Sequence, residues 1–226
     1  MRISLSAIHS LMAGYADTSG FLALKGLFTS HVTGNFVTLG SALVLGSSGA
    51  LAKILALPTF CLAVLSIRLI GLRLRDAGRP ALRSVLTLQF VLLIVAAAIA
   101  VWAGPFDDPD TGVALALGMI LVTAMAMQNA AHRVHLSHTP PSTVMTGSTT
   151  QIMLDLGDMI HGLPPEKAAT IRARFRAMTT SIVLFATGCG FAALLFAKIS
   201  MWCFCVLPLL GAFALMRRSE IVDARA

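Results

Sequence analysis

Long apolar runs separated by short polar stretches dominate the chain. A helix needs roughly 20 consecutive apolar residues to cross a bilayer core. Four runs come close to that length: Leu51–Ile70, Ser84–Ala103, Gly112–Ala131 and Ala177–Ala197. A fifth, Ile199–Met216, is shorter and is bounded by Lys198 and by Arg217–Arg218; a sixth, Ile3–Leu24, is interrupted by His9 and Asp17. Two further stretches, Phe36–Ser47 and Thr149–Ile160, run for only about a dozen residues, a length typical of re-entrant or interfacial segments. The alternation of transmembrane β-strands is missing. The pattern predicts an all-α integral membrane bundle of six transmembrane helices plus two re-entrant half-helices.

The order of these elements repeats. Each half reads helix, Thr-Gly motif, short helix, two long helices. Asp17 precedes Thr33 by 16 residues and Asn129 precedes Thr146 by 17. If the short helices dip without crossing, each half has three spans, and an odd number forces the second copy to be inverted, as in many transporters. The halves are 1–104 and 111–218, followed by a tail over 219–226.

Composition supports lipid as the main solvent. Hydrophobic residues make up 57% of the chain and charged ones 12%, against about 25% charged in soluble domains. That excludes a soluble enzyme, a disordered tail and a disulfide-stapled secreted domain. The net charge of +7 would suggest nucleic acid in a soluble protein. Here the arginines stand at the ends of apolar runs, so they read as orientation signals and no nucleic-acid partner is expected. Five arginines between Arg68 and Arg83 put that connection in the cytoplasm; Asp107, Asp108 and Asp110 put the next one outside; Lys167, Arg172, Arg174 and Arg176 mark another cytoplasmic segment. Both flanks of Thr149–Ile160 then share one side. Both termini are expected to be cytoplasmic.

Candidate chemistry concentrates at the motifs Thr33-Gly34-Asn35 and Thr146-Gly147-Ser148. Pro140-Pro141 opposes helix ahead of the second motif. Thr33 and Thr146 are expected N-caps, and the glycines are expected to admit another backbone. The first N–H groups of each half-helix lack intrahelical partners and carry the positive end of the macrodipole. Two such ends facing one another suit a small polar or anionic solute. Asp17, deep in the first span, is either a coupling group or an intramembrane cap, because a carboxylate there must be paired, hydrated or protonated. Gln128 and Asn129 occupy the equivalent place in the second half. The expected solute-binding set is therefore Asp17, Thr33, Gly34, Asn35, Gln128, Asn129, Thr146, Gly147 and Ser148. Asp155 and Asp158 share one face of the second short helix, with Asp158 the expected partner of Arg172 or Arg174 and the deeper Asp155 also expected to be paired. The four cysteines, all in apolar runs, are expected to be small buried hydrophobes. No catalytic residue, metal or cofactor is expected: no phosphate-binding loop, zinc signature or nucleophile with a matched base is present.

The stretches "AGYADTSGF", "SHVTGNFVTLG", "AMQNA" and "STVMTGSTTQ" resemble the YoaK-like family of bacterial integral membrane proteins, a domain of unknown function. The resemblance covers essentially the whole chain. It implies a multi-pass location in the bacterial inner membrane and supplies no activity. Ala126 stands where the resemblance implies a glycine. The expectation is a small secondary transporter, not an enzyme, with the lipid bilayer and a small solute as partners. The alternatives are a passive channel and a non-transport membrane scaffold. A homodimer is compatible with a chain of this size.

Overall fold

The computed structural model describes residues 4–143 and 145–217. Arg2, Arg218 and the tail over 219–226 lie outside the described residues. Helices make up the fold, and no strand occurs among the described residues. In chain order they are α1 (Leu5–Ala23), α2 (Asn35–Leu45), α3 (Ala50–Asp76), α4 (Ala81–Ala103), α5 (Gly112–His135), α6 (Met145–His161), α7 (Pro165–Ile199) and α8 (Val206–Met216). A 3-10 turn at Val32–Gly34 leads into α2, and another at Ser200–Cys205 leads into α8.

Local chemistry sets the boundaries. Ser4 caps α1 by accepting the Ala7 N–H, and α1 ends where Lys25 and Gly26 turn left-handed. Gly46, at φ 64°, closes α2. The N-terminus of α3 is capped from a distant loop: the Asp110 carboxylate accepts the N–H groups of Gly49, Leu51 and Ala52 at 3.1, 3.2 and 2.9 Å. The Lys53 ammonium donates to the carbonyls of Lys25 and Gly49, and that of Lys25 to the Asp107 carbonyl. These contacts gather the end of α1, the start of α3 and the α4–α5 connection at one end of the bundle.

Two expected boundaries are corrected. The run predicted at Ala177–Ala197 belongs to a 35-residue helix beginning at Pro165. Hydropathy marks where charge begins, but Pro in the first turn and the good helix formers behind it carry the backbone further. The run predicted at Ile199–Met216 is broken at Ser200 (φ 49°), leaving α8 only 11 residues. Pro208 lacks an N–H and is most easily placed in a first turn, which α8 supplies.

Four helical stretches are long and apolar enough to cross a membrane: α3, α4, α5 and the 52 residues from Pro165 to Met216. The outer surface is apolar in keeping with lipid, with Val37 at 76% and Val44 at 86% exposure. Lipid supplies little apolar drive between helices, so close packing and polar contacts must hold them. The tightest crossing joins α1 and α7. A Cβ placed on Gly14 would lie 2.1 Å from the Phe185 carbonyl oxygen, and one on Gly188 would lie 2.2 Å from that of Leu11. The hydroxyls of Ser10 and Ser181 meet at 2.6 Å, and the Tyr15 ring packs tilted against Phe191 with centroids 5.9 Å apart. Residue numbers rise together along this contact, so α1 and α7 run in the same direction. α3 and α5 also pair closely, with Thr59 against Met119 near their starts. Exchanging the two halves turns the pair α1–α7 into α5–α3, and the packing of α2 on α3 into that of α6 on α7.

Candidate functional site

Asp17 holds the non-helical segment that precedes the first motif. Its Oδ1 accepts the N–H groups of Thr29 and Ser30 at 2.8 and 2.6 Å; its Oδ2 accepts the Ser30 hydroxyl at 2.8 Å and the His31 N–H at 3.0 Å. The residue is 3% exposed. Buried backbone outside a helix must be satisfied within the protein, and one carboxylate does this for three consecutive residues. Asn35 completes the clamp from the other side. Its side-chain oxygen accepts the Phe28 N–H and its amide donates to the Phe28 carbonyl, both at 2.8 Å.

The second half repeats the arrangement with neutral groups. Ser30 lies 13 residues after Asp17 and bonds its carboxylate. Thr143 lies 14 residues after Asn129 and donates to its side-chain oxygen at 2.7 Å. The Gln128 amide donates to the His9 carbonyl at 2.9 Å and to the Ser142 hydroxyl at 3.2 Å, and Gln89 reaches Gln128 at 3.4 Å. His132 meets the Thr139 hydroxyl at 3.0 Å.

The two halves meet at a cavity of about 400 Å³. Asp17, Thr18, Phe21, Leu22, Phe28 and His31 line it from the first half. Thr143, Met145, Thr146, Phe185 and Cys189 line it from the second. The wall carries one carboxylate, three phenylalanines and two sulfur side chains, and neither lysine nor arginine. Hydroxyls of Thr18, Thr143 and Thr146 and the His31 imidazole supply the remaining polarity. Such a lining suits a compact solute with an apolar body and a hydrogen-bonding group. It is poorly matched to an anion, because the wall offers a carboxyl group and no lysine or arginine.

Of the nine residues expected from the sequence, Asp17 and Thr146 line this cavity. Thr33 and Gly147 are exposed, and a Cβ on Gly147 would meet nothing within 4 Å. Gly34 serves packing instead: a Cβ there would lie 2.7 Å from the His31 ring and 3.0 Å from that of Phe28, so its bareness positions two cavity residues. Asn35, Gln128 and Ser148 are buried, the first two holding the segments behind the wall. Asn129 lines a different cavity, between α3 and α5.

The expected N-caps are corrected. The 3-10 turn Val32–Gly34 runs straight into α2, with no side-chain cap on either element, so Thr33 has no cap position to fill. Thr146 lies inside α6, which begins at Met145. Asp17 and Asn35 do the holding instead. The expected pairing of Asp158 is also corrected. Arg174 grips the fully buried Asp155 at 3.0 and 2.5 Å, and Gln151 adds a third bond at 2.8 Å. Of the cysteines only Cys203 is buried; Cys189 is half-buried, while Cys61 and Cys205 are exposed on apolar surface. No cluster of metal-ligating side chains occurs among the described residues.

A family model described as a protein of unknown function, DUF1275, matches residues 5–216. The chain belongs to the DUF1275 family. No curated protein and no solved structure matches it. Membership in DUF1275 carries no activity with it, so a function for this member must come from its own cavities. The wall residues Phe28, His31, Phe185 and Cys189 of this DUF1275 protein were not among the expected nine. The small residues Gly14 and Gly34 were the signal for them, since a Cβ on Gly14 would press on Phe185 and Cys189 and one on Gly34 on His31 and Phe28.

Proposed function

We propose that this DUF1275 protein is a small secondary transporter of the bacterial inner membrane, moving a small polar solute through the cavity between α1, α7 and the two motif segments. The observation that carries this reading is the cavity's lining, to which both halves contribute, with Asp17 from one and Thr146 from the other. An inverted arrangement of six spans and two dips, α2 and α6, is supported by helix direction. α1 and α7 run together, and α3 and α5 run together, since Asp110 just ahead of α5 caps the start of α3 and Thr59 meets Met119 further along, although each pair joins opposite halves. The arginines gathered at one end of the bundle support a cytoplasmic location for both termini by the positive-inside tendency. Alternating access would then consist of one repeat rocking against the other around the cavity.

Cys189 offers the test. In a Cys61→Ala/Cys205→Ala background, purified protein in proteoliposomes is assayed for uptake across a panel of small neutral and charged metabolites, before and after modification with a bulky maleimide. The expected result is saturable uptake of at least one solute that modification abolishes and Cys189→Ala protects. Absence of uptake across the panel, or uptake indifferent to blocking Cys189, overturns the reading. The second reading, a non-transport scaffold, is favoured by one observation: both Asp17 oxygens already have internal donors, so the buried charge is explained without a solute.

A further inference from the structure

A second cavity, of about 620 Å³, lies between α3, α5 and the start of α4. Arg68, Arg75, Arg79 and Arg133 line it, and no aspartate or glutamate does. Each of the four is exposed. The ion pair between Arg174 and Asp155 is the only one found among the described residues, so none of these four arginines is neutralised by a carboxylate. Arg73 and Arg83 belong to the same basic connection yet do not line the cavity. The convergence is therefore more selective than a general excess of positive charge at one face. Asn129 and His135 also line it, and the rest of the wall is apolar, with Phe60, Val64, Ile67 and Val85 among its residues. Gly71 opens onto it, with nothing within 4 Å of where its Cβ would stand.

We propose that this cavity is a binding site for a ligand carrying an uncompensated phosphate charge. Arginine guanidinium groups present planar, forked donors that match phosphate oxygens in pairs. Four of them facing one space repel each other until an anion enters. The chemistry is shared by the headgroup of an anionic phospholipid and by free phosphate. The apolar wall gives a lipid's acyl chain somewhere to lie, and basic pockets between transmembrane helices are known hosts for such headgroups.

The test uses delipidated full-length protein in a neutral detergent, with thermal stability followed during titration by three probes: phosphatidylglycerol in mixed micelles, phosphatidylcholine in the same micelles, and inorganic phosphate. Stabilisation by phosphatidylglycerol alone supports the proposal with a lipid source. Stabilisation by inorganic phosphate as well supports it with a soluble source. Each Arg→Gln change among Arg68, Arg75, Arg79 and Arg133 should weaken binding about fivefold. The pair Lys167→Gln/Arg172→Gln, which removes charge outside the cavity, should leave it unchanged. Gly71→Trp, which fills the space and keeps the charge, should abolish it. The proposal is overturned if neither anionic probe stabilises the protein, if the control pair weakens binding as much as the cavity arginines do, or if Gly71→Trp binds normally.

Discussion

The pairs α1–α7 and α3–α5 are counterparts under exchange of the two halves, and each bounds a cavity; the chemistry of the two is opposite. The register that matches Asp17 to Asn129 also matches Thr18 to Ala130, Phe21 to Arg133 and Leu22 to Val134. All four residues of the first set line the α1–α7 cavity, and all four of the second line the α3–α5 cavity. One wall carries a carboxylate and aromatic rings; the other carries an amide and arginines. Under the proposed inverted arrangement, the two halves share a helix pairing while their side chains line cavities of different chemistry. The loop anchor survives in both halves, as the bonds from Asp17 to Ser30 and from Asn129 to Thr143 attest. The charge on the anchor survives in one half only.

The largest expected effect separates the anchors. In Asp17→Asn, the remaining oxygen can still accept from Thr29 and Ser30, but the new NH2 faces the His31 N–H. A buried donor left without a partner, together with the loss of charge-assisted bonds, costs about 3 kcal/mol. Asn129→Ala removes one hydroxyl's acceptor, and Thr143 can turn its hydroxyl elsewhere, so about 1 kcal/mol is expected. Unfolding of both variants in detergent, monitored by loss of helical circular dichroism, measures the difference. Equal losses would mean that the two loops are held equally firmly and that the charge adds nothing.

A smaller effect concerns the crossings. Gly14 corresponds to Ala126 in the same register, the position at which a glycine was expected from family resemblance. Gly14 faces a backbone carbonyl at a distance no Cβ can adopt, whereas Ala126 is fully buried with its methyl in place. Gly14→Ala should therefore force α1 from α7 and destabilise by about 1–3 kcal/mol. Ala126→Gly should cost about 1 kcal/mol, through helix propensity. The same unfolding assay checks both. If Gly14→Ala is neutral, the crossing yields more easily than its geometry implies, and the α1–α7 cavity is not rigidly framed.

The sequence made the spans legible because burial in lipid leaves a one-dimensional trace: α3, α4 and α5 fall within a few residues of their apolar runs. It also showed that Asp17 and Asn129 keep nearly the same spacing from their motifs, and each anchors the segment ahead of its motif. What it hid was three-dimensional. Thr33 and Thr146 look like caps, since Ser, Thr and Asp before a helix usually are. The segment before each motif is instead anchored by a residue more than ten positions away in sequence, and the start of α3 by Asp110, more distant still. Phe185 and Cys189 lie in an ordinary apolar run, and only the packing of α7 on α1 turns them toward Asp17. The arginines around Arg68 were read as a marker of orientation, and nothing in their spacing tells which of them face a common space.

The smallest expected effect is a gain. His9 is fully buried, and neither ring nitrogen has a hydrogen-bond partner. Its counterpart in the register is Leu121, also fully buried. An unpaired polar group in such a place costs free energy that an apolar side chain of similar bulk does not. His9→Leu makes the two halves alike at this point, and should stabilise the protein by about 1 kcal/mol, read as a later unfolding midpoint in detergent. The same variant sharpens the functional contrast between the halves. If it gains stability and retains the uptake proposed for the α1–α7 cavity, the imidazole is dispensable there. If it gains stability and loses uptake, the first half keeps a costly histidine for its work, as functional sites commonly do. A loss of stability would show instead that the ring is satisfied in the membrane, and would remove His9 from the differences that separate the two halves.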